Sequence, residues 1–473
     1  MNEGQRTTIS SHLRLAVAKS VSRSRSRSAW RRACLCLAKR LPLAASLLMV
    51  GCVNHGTPLQ SARQAFWAGD LQQAAEGLRK AQPRRGEPAE SILADQALVA
   101  LLQGDAVVAE QMLRVVRDRF ESLESTDIRK SALSLVSDDR RLPYAGDDYE
   151  QVMIRSFLAL ANLMQGGQDV MAYCLQANQK QQQIIDAGVG LPDQNPKLGY
   201  KRVALSAYLY GTLQEATHHA YDEAARAYAS VLEWNPDFPP AAADRDRVLH
   251  GSHSAPGNGV VYVIGLVGPG PYKQETTAAV TTEAMAIASQ LLHALGDRDI
   301  PPLTAPVKIP QIVVPPSSVD ALLVSTRDQQ LGVTQTVTDV SQIAWQQAQA
   351  SLNHTVARAV VRRIVKKSAV FSAKHNLASA SPLAGLALDA AGFVWEASES
   401  ADTRSWSLLP GTIQMLRIEL PAGRHSLAVQ PVFQQRVAGP AEIAEVEVID
   451  GENSYLLACF PDRKLAGRIL SSR

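Results

Sequence analysis

Apolar residues are distributed along 60–249 as they are in helices, with short polar turns between the runs. A stretch rich in Gly and Ser follows at 250–259. Beyond it, the pattern changes to short β-branched runs and to alternating apolar and polar positions, which predicts strands as well as helices. The pattern therefore predicts a helical region at 60–249, a linker at 250–259 and a region of mixed structure at 260–473.

Two segments of the helical region match each other. Gly69-Asp70-Leu71 is followed by Ala74, and Gly104-Asp105-Ala106 is followed by Ala109. The two glycines stand 35 positions apart (104 minus 69), close to the ~34-residue period of tetratricopeptide repeats. Small residues at these points let antiparallel helices approach, so Ala74 and Ala109 are expected in tight helix contacts. Two later units, at 149–172 and 221–236, continue the pattern. The alternative is a non-repeating helical bundle with Gly-Asp turns.

The region at 260–473 is predicted to be a smaller α+β domain with a C-terminal antiparallel sheet. Its predicted elements are a buried strand at 260–267, a helix at 276–295, an extended Pro-rich segment at 301–316, a strand at 319–324, a long helix at 341–367 and antiparallel strands over 413–460. The fold class predicted for the whole chain is mainly α, with tetratricopeptide-like repeats followed by this domain.

The first fifty residues resemble a secretion signal. A strongly basic leader precedes a short apolar run at 41–50, which is the order of a signal peptide and is shorter than the ~20 residues that span a bilayer. The run ends in Leu48-Met49-Val50-Gly51-Cys52, which resembles the bacterial lipobox, with Met49 where Leu is usual. We expect a signal peptide at 1–51, lipid on Cys52 and a tether at 52–59. The alternative is an ordinary signal peptide with a chance cysteine.

Composition and charge then limit the partners. Hydrophobic residues make up 46% and aromatic residues 5% of the chain, which suits a globular protein rich in helices. The net charge is +3, but residues 1–51 carry ten Lys or Arg and one acid, a net of +9, so that residues 52–473 carry 3 − 9 = −6. A mildly acidic mature chain is a poor candidate for nucleic-acid binding.

Candidate chemistry is sparse. The sequence holds no Gly-x-Ser-x-Gly elbow, His-Glu-x-x-His motif or Walker-type loop, so no catalytic residue and no cofactor is predicted. Gly268-Pro269-Gly270-Pro271 follows a strand, but its prolines lack the N–H groups that hold phosphate. His218-His219 and the pair His250 and His253 are interpreted as surface histidines, with no metal site predicted. Cys174 and Cys459 are interpreted as buried free thiols, with a disulfide as the alternative.

The predicted helix at 352–367 is amphipathic. One row holds Leu352, Val356, Val360 and Ile364, and another side holds five cationic residues, which are Arg358, Arg362, Arg363, Lys366 and Lys367. The cationic side is interpreted as a solvated face. The alternative is a contact with lipid headgroups or with an acidic partner.

A second charged segment precedes the predicted sheet. Asp402, Arg404 and Trp406 lie just before Leu409-Pro410, and Glu396 lies a few residues earlier. A charged pair beside a tryptophan and a proline is expected to fix a chain reversal or to contact a partner. A catalytic acid and base is the alternative.

Several of these motifs resemble those of a known family. Tyr144-x-Gly146, Tyr149-Glu150, Ala-Leu-Ala-Asn at 159–162 and Asp402-x-Arg404-x-Trp406-x-x-Leu409-Pro410 are similar to motifs of an uncharacterised family of bacterial tetratricopeptide-like lipoproteins. The resemblance covers most of the mature chain. It implies a role in the cell envelope, since some such proteins are encoded beside lipoprotein activators of penicillin-binding proteins, and it assigns no active site.

These observations lead to one functional hypothesis and one rival. The hypothesis is a non-enzymatic envelope scaffold that binds a protein partner of peptidoglycan synthesis or outer-membrane assembly through its helical repeats. Because Val53 stands where Asp commonly signals inner-membrane retention, the expected location is the outer membrane, facing the periplasm. The rival is an envelope enzyme or carbohydrate-binding protein, which a deep polar cleft lined by Asp402 or Glu396 would favour.

Overall fold

The computed structural model describes residues 56–82, 89–125, 143–187, 200–294, 306–378 and 400–472. The predicted fold class, mainly α, is wrong: the structure is 48% helix and 25% strand, a mixed α/β fold with twelve helices and three sheets among the described residues. The prediction underestimated the sheets because several strands are short and lie in segments with little alternation. Gly56–Arg473 form one compact unit.

The first part of this unit is a series of nine helices among the described residues. They are α1 (Gly56–Trp67), α2 (Leu71–Ala81), α3 (Glu90–Gln103), α4 (Ala106–Ser125), α5 (Asp148–Met164), α6 (Val170–Asp186), α7 (Leu205–Glu215), α8 (Tyr221–Trp234) and α9 (Pro240–Leu249). Helices α1 and α2, and α3 and α4, contact each other across short Gly-Asp turns, so they form antiparallel hairpins. Ala74 and Ala109 are fully buried, as expected. That these hairpins are tetratricopeptide repeats stays a prediction.

The Gly-Asp turns have a second role that the sequence did not indicate. Gly69 and Gly104 have φ of +82° and +96°, the left-handed conformation that ends a helix. The C-terminal segment lies against both turns: a Cβ at Gly69 would stand 3.0 Å from the Leu465 carbonyl oxygen, and one at Gly104 would overlap the Arg468 guanidinium. Gly69 and Gly104 therefore end helices, and their lack of a side chain lets the segment around Leu465 and Arg468 pack against the two turns.

The second part of the unit combines three helices with twelve strands among the described residues. The helices are α10 (Thr282–Ala294), α11 (Val340–Ala350) and α12 (Leu352–Ala378). The strands are β1 (Asn258–Pro269), β2 (Tyr272–Ala278), β3 (Val307–Val313), β4 (Ala321–Ser325), β5 (Gln330–Val333), β6 (Gln335–Asp339), β7 (Pro410–Pro421), β8 (Gly423–Phe433), β9 (Arg436–Val437), β10 (Glu442–Val448), β11 (Asn453–Phe460) and β12 (Leu470–Ser471).

These strands form two larger sheets and one hairpin. The first sheet has the order β12-β11-β1-β7-β6, the second has the order β10-β8-β4-β5 with β9 beside β8, and β2 pairs with β3. Strand β1 pairs antiparallel with β7 and parallel with β11, in a register that aligns Val260 with Asn453. The predicted wholly antiparallel arrangement of the C-terminal strands is thus wrong for β11, because its partner lies far away in the sequence.

Several element boundaries differ from the prediction. The segment predicted as the start of a helix at 276 belongs to strand β2, since Tyr272–Ala278 pair with β3. The predicted helix at 341–367 is two helices, α11 and α12, which part at Ser351. Strands β5 and β6 were not predicted, because Gln330–Val333 and Gln335–Asp339 are short and partly exposed.

Strand β1 contributes side chains to two hydrophobic cores, one between the first sheet and the helices and one between the first and second sheets. Val260, Tyr262 and Ile264 pack in the core that contains the helices, whereas Val261 and Val263 pack against the second sheet. This alternation is the two-residue period of a strand buried on both faces. The first sheet therefore lies between the helical layer and the second sheet. Within the part of the chain that the structure describes, no helix is long and apolar enough to cross a membrane.

Candidate functional site

Two buried carboxyl groups attach the segment before β7 to the helical layer. Asp95 of α3 accepts hydrogen bonds from the Ser407 hydroxyl and the Leu408 backbone N–H, both at 2.9 Å. Glu150 of α5 accepts one from the Trp406 backbone N–H at 2.8 Å. Burial raises the pKa of Asp95 and of Glu150 to about 7 each, against the opposing effect of these hydrogen bonds. The segment is thus fixed by acids from two different helices.

Glu150 also organises the start of α5. It accepts a hydrogen bond from the Asp147 N–H at 3.1 Å and another from the Tyr144 hydroxyl, while Asp147 is the N-cap of the helix. The spacing of Asp147 and Glu150 is that of a capping box. This is the signal by which sequence reasoning, which noted Glu150 only within a motif, could have found its role.

Lys273 of β2 connects the hairpin β2–β3 to this helix start. Its Nζ lies 2.7 Å from Asp147, and the side chain is largely buried. Burial alone lowers the pKa of Lys273, but the charges of Asp147 and Glu150 outweigh it, so that the pKa is raised. Lys273 therefore stays charged at neutral pH.

The predicted residues Asp402, Arg404 and Trp406 lie beside this group. Arg404 donates to both carboxylate oxygens of Asp402, at 2.9 and 2.8 Å. Trp406 is buried and packs edge-on against Phe157, with ring centroids 5.1 Å apart. The structure thus separates the three roles: Trp406 belongs to the core, whereas Asp402 and Arg404 face a cleft.

That cleft has a volume of about 360 Å³. It lies between the start of α5, the β2–β3 hairpin, helices α11 and α12, and the segment around Asp402. Five of its lining side chains are cationic, namely Lys273, Lys308, Arg358, Arg362 and Arg404, and three are carboxylates, namely Asp147, Asp148 and Asp402. Its volume is at the lower end of the range for small-molecule sites.

Tyr144 forms part of the cleft wall. Its ring lies 5.6 Å from the Lys273 Nζ and 5.3 Å from the Arg404 guanidinium carbon, and Phe120 meets it edge-on at 6.1 Å. The side chain is buried, and burial raises the pKa of its hydroxyl well above the usual value. Tyr144 is therefore a neutral wall residue whose ring contacts two cations.

The arginines of α12 differ from the prediction. Val356, Val360 and Ile364 pack in a core with α10 and β3, but Arg362 and Arg363 are only 5% and 8% exposed. Arg363 donates to the Pro306 carbonyl oxygen at 2.7 Å. The interpretation as a solvated face is therefore wrong for these two residues. The side chains of Lys366 and Lys367 lie outside the described residues.

A second buried polar network lies in the helical layer. Arg247 of α9 donates to both carboxylate oxygens of Glu215 at 2.8 Å and to Asp244 at 2.7 Å. The hydroxyl of Tyr228 donates to Glu215 at 2.7 Å, and that of Tyr208 donates to Asp244 at 2.5 Å. Each acid thus has a cation and a tyrosine as partners, which is the arrangement a buried ion pair requires.

The histidines predicted to be on the surface fall into two groups. His218, His219 and His250 are exposed, whereas His253 is 2% exposed, so the interpretation as a surface residue is wrong for His253. His218 and His253 come together, with ring centroids 4.9 Å apart, and they bind the Gly451 carbonyl oxygen and the Asn453 side chain. Among the residues that the structure describes, no three His, Cys, Asp or Glu side chains are grouped as metal ligands.

The remaining candidates lie apart from the cleft. Cys174 and Cys459 are free thiols in α6 and β11, and burial raises the pKa of each. The loop at Gly270 packs on backbone, since a Cβ there would stand 1.8 Å from the Leu409 carbonyl oxygen. Cys52 and Glu396 lie outside the described residues.

Comparisons of the chain with family models, with curated proteins and with solved structures find no match.

Proposed function

We propose that this chain is a lipid-anchored binding protein of the bacterial cell envelope, and that its ligand enters the cleft beside Asp402 and Arg404. The observation that supports this proposal most is the concentration of charged side chains around one recess of about 360 Å³. Concave sites with a few convergent polar groups are the usual places where proteins bind small ligands. The cleft is polar and is lined by Asp402. The proposed binding site is therefore in the region where the rival hypothesis expected a site.

The acids near the cleft favour binding over catalysis. Asp147 and Asp402 are each in an ion pair with a cation at 2.7 to 2.8 Å. Asp95 and Glu150, whose pKa values are suited to acid–base chemistry, accept hydrogen bonds from the segment 406–408 and hold it in place. These carboxyl groups therefore have structural partners already, and we propose that the protein is not an enzyme.

The proposed location depends on the leader. We expect Cys52 to carry the lipid and Val53 to direct the protein to the outer membrane, facing the periplasm. Two or more acyl chains anchor a protein stably, where one chain is marginal. Metabolic labelling with a fatty-acid analogue should mark the wild type and leave Cys52→Ala unlabelled. Equal labelling of both proteins would show that the lipid is elsewhere.

The binding site is tested by filling the cleft. Gln347 lines it and Gln349, on the same helix, is exposed. We expect Gln347→Trp to abolish retention of small molecules from a periplasmic extract in equilibrium dialysis with mass spectrometry, whereas Gln349→Trp retains what the wild type retains. Because Gln347 also accepts a hydrogen bond from the Tyr149 N–H at 3.4 Å, melting curves must show that both variants fold.

Identical retention by a folded Gln347→Trp protein would rule out the cleft as the site. The candidate binding surface would then be a second one, on the helices. Val107, Val108 and Val115 of α4 and Leu175 of α6 are exposed by 42% to 53%. Exposed apolar side chains on neighbouring helices favour docking of a partner protein, which is the scaffold role expected from the sequence.

A further inference from the structure

We propose that the outer edge of strand β10 is a docking surface for an extended, cationic segment of another protein, which adds a strand to the second sheet. Strand β10 contributes no residue to the lining of the cleft, so this inference goes beyond the proposed function and does not depend on it. It rests on the regularity of this edge, on the direction of its backbone groups and on the side chains exposed along it.

The edge of β10 is the longest regular edge of the two larger sheets among the described residues. Strands β12 and β6 form the edges of the first sheet, and β10 and β5 form those of the second. Strand β12 has two residues, and the pairings of β6 and β5 with their neighbours contain register shifts. Short strands and bulges are means by which proteins prevent pairing at an edge. Strand β10 has neither, since its seven residues pair with β8 in one continuous register.

Alternate residues of β8 face β10. The carbonyl oxygen of Pro431 accepts a hydrogen bond from Ala438, which lies between β9 and β10, whereas that of Val432 accepts one from Asp320, just ahead of β4 on the other side of β8. The backbone groups of successive residues in a strand point to opposite sides. The odd-numbered residues of β8 therefore bond to β10.

The register then shows which backbone groups of β10 point outward. The odd-numbered residues of β8 align with the even-numbered residues of β10, so the N–H and C=O groups of Ile443, Glu445 and Glu447 point away from β8. The Glu447 carbonyl oxygen accepts a hydrogen bond from the Ser454 hydroxyl at 2.8 Å, in agreement with this direction. The three N–H groups and the other two carbonyl groups have no partner among the described hydrogen bonds. They can pair with an incoming strand.

The side chains along this edge are acidic. Three of the seven residues of β10 are glutamates and none is cationic. Glu445 and Glu447 are exposed and Ile443 is 61% exposed, while the even-numbered side chains over 444–448 pack against the first sheet. Arg424 of β8 stands opposite Glu447 in the register, but the two do not form an ion pair among those described. Both exposed carboxylates therefore lack a partner within the described part of the chain.

These charges select the occupant of the edge. If a second copy of the chain paired antiparallel about Glu445, that carboxylate would stand opposite its own copy, and like charges directly opposite each other destabilise a sheet. A segment with Lys or Arg opposite Glu445 and Glu447 and an apolar residue opposite Ile443 forms favourable pairs instead. Main-chain hydrogen bonds give such a strand its affinity, and its alternate side chains give it specificity.

Three peptides as long as β10 test the inference on the full wild-type chain in a neutral detergent. The first alternates Lys and Val, the second has Glu in place of Lys, and the third is the first with every backbone N–H methylated. In fluorescence anisotropy, we expect the first peptide to bind about tenfold more tightly than either of the others. The second peptide reverses the charge pairs. The third keeps its charge but cannot donate to the edge, so it separates strand addition from attraction between charges alone.

Hydrogen exchange locates the bound peptide. In the free chain, the amides of Ile443, Glu445 and Glu447 point outward and should exchange rapidly, whereas those of the even-numbered residues bond to β8. The Lys-Val peptide should slow exchange of the outward amides, measured by mass spectrometry on fragments that cover 442–448. Protection confined to other segments would overturn the inference.

A charge swap supplies the variant arm. The double variant Glu445→Lys with Glu447→Lys should bind the Glu-Val peptide more tightly than the Lys-Val peptide, which inverts the preference of the wild type. The double variant Glu76→Lys with Glu223→Lys makes the same change of charge at exposed positions of α2 and α8 and should keep the wild-type preference. If the first variant fails to fold, Glu445→Gln with Glu447→Gln should weaken binding of the Lys-Val peptide severalfold.

The inference fails if the wild type binds all three peptides equally or binds none of them, or if a folded charge-swap variant keeps the wild-type preference. It also fails if sedimentation shows a wild-type dimer that Glu445→Pro converts to a monomer, because a second copy then occupies the edge. Proline at this position removes an outward N–H, which edge strands tolerate. The comparison of the three peptides uses the wild type and needs no variant.

Discussion

From about pH 5 to about pH 8, the free energy of unfolding of the full chain should fall as the pH rises. The groups responsible are Asp95 and Glu150, whose pKa values are raised in the folded protein to about 7 from ordinary values of 3.8 and 4.5. Between these limits the folded state binds protons that the unfolded state has released. Their stabilising contribution is therefore complete below about pH 4 and is lost as the pH passes 7.

The expected size of this change is large. One pKa unit corresponds to about 1.4 kcal/mol, so the full shift corresponds to roughly 4 kcal/mol for Asp95 and to roughly 3 kcal/mol for Glu150, as upper limits. His253 opposes the change, because burial lowers its pKa and it loses stability as the pH falls through about 6.5. The pKa values of Glu110, Glu124 and Glu419 are lowered in the folded protein. Their effect on the free energy of unfolding therefore appears at more acidic pH, around and below the ordinary pKa of a glutamate. Asp244, whose pKa is also raised by burial, acts in the same direction as Asp95 and Glu150.

Denaturant unfolding at several pH values measures this prediction. Asp95→Asn keeps one oxygen, which can accept from the Leu408 N–H, and its NH2 group can donate to the Ser407 hydroxyl oxygen, but the side chain does not titrate. The variant should have a weaker pH dependence than the wild type and should gain stability relative to it as the pH rises. Glu76→Gln, on the exposed face of α2, should keep the wild-type slope. Parallel curves for Asp95→Asn and the wild type would contradict the assignment.

Replacing Arg247 by Ala should destabilise the protein by about 3–5 kcal/mol, which is the typical cost of removing one partner from a buried ion pair. The Glu215 side chain is 0% exposed, and Arg247 donates to both of its carboxylate oxygens. Without Arg247, the hydroxyl of Tyr228 is the one remaining partner that the described hydrogen bonds give to this carboxylate. Equilibrium unfolding at neutral pH measures the loss.

A matched surface pair provides the control. Arg226 and Glu223 of α8 lie 2.5 Å apart but are both exposed, so Arg226→Ala should leave the stability nearly unchanged. Adding Glu215→Gln to Arg247→Ala should recover part of the lost stability, because the stranded charge is removed. Equal effects of Arg247→Ala and Arg226→Ala would mean that the Glu215 network does not contribute to folding.

The sequence predicted local structure better than it predicted the arrangement of the layers. The Gly-Asp turns and the burial of Ala74 and Ala109 followed from spacing within a few residues. Strand β1 was recognisable as a continuous apolar run, since it is buried on both faces. The mainly α fold class was wrong because short, partly exposed strands such as β5 carry little pattern, and because pairing with distant partners leaves no local signal.

The candidate site could be predicted only in part. Asp402 and Arg404 attracted attention as a charged pair near a tryptophan, and both line the cleft. Lys273 and Arg358 stand far from them in the sequence, and only the packing of the hairpin β2–β3 and helix α12 brings them there. Asp95 gave no signal, because a single acid in an apolar helix resembles an ordinary surface residue until its partners Ser407 and Leu408 are known.

The pairing of β1 with β11 has a consequence for how the protein folds. The helical hairpins depend on contacts between neighbours in the sequence, so they can form early. Strand β1 cannot complete its pairing until β11 is available, and β11 follows every other strand except β12 in the sequence. Folds with such non-local pairings form slowly, because loop closure precedes the contacts that stabilise it. During that interval the apolar edge of β1 is exposed to other chains. Folding of this protein should therefore be helped by a chaperone that shields the edge of β1 until β11 has paired with it.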